Sequence, residues 1–284
     1  MLRNYIVKFL IILGLPKAFR FFYQSRKISI IYYHNIIPSC FEEHVKYIKR
    51  KYNVIDLSTL LETLTNKSAK IPKRALLITF DDGHIGNYKL LPIFKNYEIK
   101  PIIFLTSGII GTPNPFWFNL PFSDKSEKDR LKLIPDKERR EYINKNFSGE
   151  LLPINPEALT KKMIEEMIPY VDFQSHTVDH PCLPNCSFDE AMNQLLESKS
   201  AIEKITGKPV ISIAYPNGDF SDREMKLAND TGYIVGFASK FGFVNHRSNN
   251  YCLNRVSIND TCNYNEFILR ATGVWSTIKK QKFM

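Results

Sequence analysis

No uninterrupted apolar run in this chain is long enough to cross a bilayer. The most hydrophobic N-terminal stretch, Tyr5 to Phe22, is broken by Lys8, Pro16, Lys17 and Arg20. No Ala-x-Ala cleavage site follows it, so a cleavable signal peptide is not expected. Cysteine is scarce: five residues, an odd number at irregular spacing, which argues against a disulfide framework and favours a reducing compartment. Internal repeats, low-complexity tracts and nucleic-acid motifs are missing, and the basic residues are scattered, so nucleic acid is not expected as a partner.

What is there suffices for one large core. The chain has 284 residues, 44% of them hydrophobic and 13% aromatic, a length common for a single α/β barrel. Lys and Arg number 39 against 29 Asp and Glu, a formal charge of +10 that suits an anionic surface such as a membrane leaflet or an acidic polymer. With that charge, Tyr5 to Phe22 reads as an interfacial helix; an amphipathic helix packed on the domain is the plainer alternative. Residues 1–27 are therefore set apart as an N-terminal amphipathic segment, and the protein is expected to be cytoplasmic or peripheral to a membrane.

From residue 28 onward, short apolar runs alternate with amphipathic stretches. Ile28 to His34, Val54 to Leu57, Ala75 to Ile78, Pro101 to Leu105, Asp172 to His176, Val210 to Tyr215, Tyr233 to Ala238 and Tyr251 to Ile258 read as strands. Continuously apolar strands alternating with helices predict a parallel sheet covered on both faces, and about seven or eight such units predict a βα barrel over residues 28–284. A proline-rich and then charged stretch at about 111–170 breaks the rhythm and predicts a helical excursion on the barrel rim.

Thr79-Phe80-Asp81-Asp82-Gly83 organises the rest. Two adjacent carboxylates at the exit of a buried strand repel each other and are costly to bury, a conflict that a metal ion resolves. A solvated Asp-Asp-Gly turn is the bland alternative. Asp81, Asp82, His34, His176 and the turn Tyr215-Pro216-Asn217-Gly218-Asp219 all fall at predicted strand ends, where a barrel gathers its active site. Two imidazoles, His176 and His180, with one carboxylate make a three-ligand site for a divalent metal.

These motifs resemble the polysaccharide deacetylase family with the NodB homology domain. Residues 79–83 look like its first signature and Ser175-His176-Thr177-Val178-Asp179-His180 like its second. Ala214-Tyr215-Pro216-Asn217-Gly218-Asp219 looks like a third region, and Tyr32-Tyr33-His34-Asn35 resembles the branch that deacetylates poly-N-acetylglucosamine. The resemblance implies a distorted (β/α)7 barrel and metal-dependent hydrolysis of the acetamide of an N-acetylated glycan. It implies that Asp82, His176 and His180 hold a divalent metal, with zinc the first choice, and that Asp81 is the general base. Tyr215, Pro216 and Asn217 would shape the substrate and oxyanion site. Two departures follow from the same comparison. Many members carry an arginine where this chain has Ala214, and Arg255 is expected to replace it beside Asp81. The late Leu-x-His that usually supplies the general acid is missing, and His34 is expected to take that role, with His246 as runner-up. Other readings stay open: a non-haem iron oxygenase, a hydrolase of another linear amide, a degenerate glycan-binding barrel, and a zinc knot at Cys182 and Cys186.

Overall fold

The molecule is described here by a computed structural model covering residues 2–66, 68–147 and 156–281. Among the described residues there are eight strands: β1 (Ile28–Tyr33), β2 (Asn53–Ile55), β3 (Ala75–Phe80), β4 (Ile102–Leu105), β5 (Asp172–Ser175), β6 (Ser212–Ala214), β7 (Val235–Phe237) and β8 (Val256–Ser257). They form one sheet in the order β7-β6-β5-β4-β3-β1-β8, with β2 paired to the first half of β3, and every pairing between named strands is parallel. A single parallel bridge, Phe237 to Leu253, draws the two ends of the sheet together and closes a distorted (β/α)7 barrel.

Both faces of the strands are apolar because both are covered. Along β1 and β3 every residue is buried, and alternate positions feed two different clusters. Ile28, Ile30, Leu77, Ile102, Phe104 and Phe237 belong to one; Ile31, Tyr33, Ile78, Phe80 and Ile103 pack in the other against surrounding helices. Those helices are α3 (Pro38–Lys51), α4 (Leu57–Thr65), α5 (Leu91–Asn96), α8 (Lys161–Met167), α9 (Phe188–Thr206), α10 (Asp222–Asp230) and α11 (Tyr264–Ala271). Helix α9 shows why its sequence stops and starts where it does. Ser187 and Glu190 cap its N-terminus reciprocally, and Gly207 ends it with a φ of 65°, a left-handed turn that glycine adopts without steric cost.

Between β4 and α8 the chain builds the rim excursion, with α6 (Lys125–Leu131) and α7 (Asp136–Phe147) around a small cluster of Trp117, Leu120 and Leu131. Residues 148–155 of that stretch, Pro153 included, lie outside the described residues. At the other end, α1 (Leu2–Ile12) and α2 (Leu15–Phe22) lie against α11 and α12 (Val274–Gln281), where Val7 packs with Leu269 and Val274.

Two sequence expectations need correction. One disulfide does form, joining Cys40 at the start of α3 to Cys262 across a separation of 222 residues. Spacing could not reveal it, because the barrel's closure brings the two segments together. The last strand is also much shorter than Tyr251 to Ile258. Residues 250–252 form a 3-10 turn and Leu253 bridges to β7, leaving Val256–Ser257 as ladder.

Candidate active site

Parallel register brings the strand ends to one level. Tyr33 pairs with Phe80, so His34 and Asp81 leave the sheet side by side, and the Asp81 N–H donates to the Tyr33 carbonyl at 2.9 Å. Leu105 pairs with Ser175 and Ser175 with Ile213, which sets His176 beside Ala214. The turns that follow are tight. Asp82, Thr177, His180 and Asn217 are all non-glycine residues with φ between 53° and 71°. Such left-handed conformations cost energy and cluster at functional sites. Gly83, with φ 73°, lies so close to Leu105 that a Cβ would sit 2.5 Å from its Cδ2.

Asp82, His176 and His180 converge. Asp82 Oδ1 lies 3.4 Å from His176 Nε2 and 3.5 Å from His180 Nε2, and one ligand atom from each residue falls within 4.8 Å of the others. Two ligands each about 2.1 Å from a tetrahedral ion lie about 3.4 Å apart, so the donor set and its spacing fit a divalent metal. His176 Nδ1 hydrogen-bonds the Ala214 carbonyl at 2.7 Å, which leaves Nε2 as the lone-pair nitrogen aimed at Asp82. His180 has no such support: its Nδ1 has no partner among the described residues. Its loop is fixed instead by Gln194, which accepts the N–H groups of Val178 and Asp179 at 2.9 and 3.0 Å, and by Trp117, whose indole donates to the His180 carbonyl at 2.8 Å. Burial, helped by the His176 imidazole, pushes His180 down to about 3, so it stays neutral and able to ligate. Burial also acts to lower His176, but its bond to Asp82 and the two carboxylate charges outweigh this and raise it.

Asp81 faces Arg255. The guanidinium donates through Nη1 to Oδ1 at 2.6 Å and through Nη2 to Oδ2 at 2.8 Å, a bidentate pair with both side chains buried. Nε donates to the Ala238 carbonyl, and the cation lies 4.4 Å from the Tyr32 ring centroid. Burial would raise the Asp81 carboxyl; the Arg255 charge and then His176 overcome it and hold the group below its ordinary range. Removing Arg255 leaves that carboxylate buried and unpaired. Arg255→Ala is therefore expected to cost about 3–5 kcal/mol in urea unfolding, and Asp81→Asn in the same background to return part of it. A double-mutant cycle with no coupling would count against the pair.

His34 is half-exposed and lines the same cleft. Its Nδ1 lies 3.8 Å from Asp260 Oδ2, and the Asp260 carboxylate also accepts the His34 and Asn35 N–H groups. Asn87 adds a bond from its Nδ2 to the His34 carbonyl at 2.8 Å. Neither Asp260 nor Asn87 stands out in the sequence. The Asp260 side chain meets its partner from 226 residues away, in a polar loop with no motif. His246 is not at the cleft; its ring bonds the Thr63 carbonyl at 2.9 Å. His44 stacks on Phe267 at 3.7 Å in the core, where burial pushes it down to about 4.

The turn after β6 divides. Asn217 lines the cleft, but Tyr215 is fully buried, its hydroxyl donating to the Tyr251 carbonyl at 2.9 Å and its ring stacked on Phe220. Pro216 is buried as well. Packing turns Tyr215 and Pro216 inward, so they bear on the cleft through the turn that presents Asn217. Phe118, from the rim, sits 4.7 Å from the His180 ring and lines the cleft, whereas Trp117 is buried beneath it. Cys182 and Cys186 are buried free thiols raised by burial to about 11 and about 12, and among the described residues neither belongs to a group of three or more metal-ligating side chains. The cleft encloses about 270 Å³.

The polysaccharide deacetylase family model matches residues 68–236, a span that holds the Asp pair, both histidines and the Asn217 turn. The poly-β-1,6-N-acetyl-D-glucosamine N-deacetylase of Staphylococcus aureus (strain MRSA252) is 26% identical over 242 residues, covering 84% of this chain and 72% of that protein. YxkH of Bacillus subtilis (strain 168) is 24% identical over 253 residues, covering 83% and 72%. Among solved structures, the deacetylase PplD of Streptococcus pyogenes superposes with a TM-score of 0.64 at 23% identity, covering 87% of this chain and 98% of its own. IcaB of Ammonifex degensii gives the same TM-score at 15% identity, covering 88% and 98%. The strand order, the match over most of the chain and the residues at the strand ends agree: this chain belongs to the polysaccharide deacetylase family, hydrolases of amide C–N bonds.

Proposed function

We propose that the protein removes N-acetyl groups from an amino-sugar polymer with the help of a divalent metal, zinc by preference, at Asp82, His176 and His180. The observation that carries this reading is the convergence of those three residues beside a carboxylate, Asp81, that Arg255 holds ionised. A divalent ion supplies Lewis acidity there, acidifying a water and polarising the acetamide carbonyl. Asp81 accepts the proton of the attacking water. A backbone N–H near Asn217 donates to the oxygen as negative charge develops on it. His34, oriented by Asp260, gives a proton to the departing nitrogen. A C–O bond forms, the C–N bond breaks, and acetate and a free amine leave. The substrate class is suggested by the Staphylococcus aureus relative, whose name gives poly-β-1,6-N-acetyl-D-glucosamine. The partly buried Phe118, which lines the cleft, offers an apolar face to a pyranose ring.

Mass spectrometry of β-1,6-linked N-acetylglucosamine oligomers incubated with zinc-loaded protein tests this directly. Stepwise loss of acetyl mass, abolished by chelator, is the expected result. Unchanged oligomers beside hydrolysis of another linear amide would replace the glycan with a different substrate.

The aromatic and basic N-terminal residues are further read as a peripheral membrane contact. Among the described residues no helix is long and apolar enough to cross a membrane.

A further inference from the structure

The first two helices bury one side only. Val7 enters a cluster with Leu269 and Val274, and Arg20 is tucked under Tyr47, to which it donates a hydrogen bond. Away from those contacts, Phe9, Ile12, Phe21 and Phe22 stand 59%, 81%, 69% and 75% exposed, more than a packed amphipathic helix leaves uncovered. Beside Phe21 and Phe22 runs a groove of about 680 Å³, whose lining includes Lys17, Lys51, Lys73 and Arg74 and no acidic residue.

Topology fixes where this groove lies. Arg74 immediately precedes β3, and Lys51 ends α3, the helix that returns the chain to the start of β2. Asp81 and Asp82 follow the last residue of β3. A six-residue strand rises about 20 Å, so the groove and the catalytic cleft occupy opposite poles of the barrel.

We propose that this pole docks on an anionic phospholipid bilayer, the cations of the groove meeting lipid phosphates while the flanking aromatic and aliphatic side chains enter the interface. The catalytic mouth then opens away from the bilayer, so its substrate is a polymer reaching it from the aqueous side and not a lipid-linked sugar of the same leaflet. The proposal rests on the membrane contact and glycan substrate proposed above and gives the contact a site and an orientation. An acidic polymer in water would engage the cations but leave Ile12, Phe21 and Phe22 exposed; a bilayer interface satisfies both halves of the patch. Each cation near such a surface strengthens binding about fivefold, and the effect is screened by salt.

Two measurements on the full chain test it without relying on activity. In sedimentation with phosphatidylcholine–phosphatidylglycerol vesicles, wild type is expected to bind at low salt and to be released by high salt. Pure phosphatidylcholine should hold it weakly. Lys17→Glu, Lys51→Glu, Lys73→Glu and Arg74→Glu together should lower binding by at least about a hundredfold, and Phe21→Ser with Phe22→Ser should lower it at least about tenfold, both variants keeping wild-type hydrolysis of a soluble acetyl ester. Wild-type binding by the charge variant would overturn the site, and wild-type binding by the Phe variant would reduce it to a polyanion groove. Amine acetylation of the vesicle-bound protein, read by mass spectrometry, then reports orientation. Lys17, Lys51 and Lys73 should be protected while Lys128 and Lys132, which line the catalytic cleft, stay reactive. Protection of Lys128 and Lys132 instead would overturn the orientation. Both readouts stand if the enzyme proves inactive on glycans, so a failure of the docking is distinguishable from a failure of the substrate reading.

Discussion

His176→Ala is expected to fold, to bind no zinc at stoichiometric concentration, and to lose amide and ester hydrolysis together. The side chain contributes the one imidazole whose orientation is fixed, because Nδ1 is committed to the Ala214 carbonyl. Losing it leaves two protein ligands, Asp82 and His180, where a catalytic zinc site ordinarily has three. The rate should fall by about a thousandfold or more, since one ion would serve both the water and the carbonyl. Elemental analysis of the dialysed protein, circular dichroism and an activated-ester assay read the three parts separately. Full zinc occupancy in the variant would sink the ligand assignment. An ester rate unchanged by chelator in wild type would sink the metal itself.

The second large effect divides two substrates. His34→Ala should keep metal and fold and lose about a hundredfold to ten-thousandfold in kcat on an N-acetylated oligosaccharide. An amine leaves poorly unless protonated, whereas the leaving group of an activated ester needs little help, so the ester should slow by less than about tenfold. Asp260→Asn should show the same asymmetry at smaller size, because Asp260 reaches the cleft through His34 and the backbone of His34 and Asn35 that it holds. Equal losses on both substrates would move the role to another group.

The contrast between Asp81 and Asp260 explains what the sequence could reveal. Asp81 and Asp82 stand out because their oddity is local: paired charges at the end of a run of buried apolar residues. His176 and His180 stand out for the same reason, four residues apart at the end of a predicted strand. Arg255 came within reach only through the family resemblance, which implies an arginine where this chain has Ala214. Asp260, Asn87 and Gln194 were not reachable. Each is an ordinary polar residue whose role comes from what the barrel places opposite it. The inward turn of Tyr215 was also hidden, because a tyrosine after a strand carries no sign of which way it will pack. The alternation of strands and helices was legible because burial on both faces imposes it. The length of the last strand was not, because the barrel's seam is set by closure and not by propensity.

The Cys40–Cys262 bond has a consequence of its own. Cys262 lies two residues beyond Asp260, and Cys40 six beyond His34, so the covalent link fastens together the two chain segments that carry the proposed proton donor and its carboxylate partner. In the unfolded chain a closure of this length removes about 5 kcal/mol of conformational freedom. In the folded enzyme it staples one particular side of the cleft. The ligand loops around Asp82, His176 and His180 depend on β3, β5 and Gln194, and none of them leans on the bond. Reduction is therefore expected to loosen the Asp260 side of the cleft before the Asp82, His176 and His180 cluster, with the bonds from Asp260 to the His34 and Asn35 N–H groups left to hold that loop.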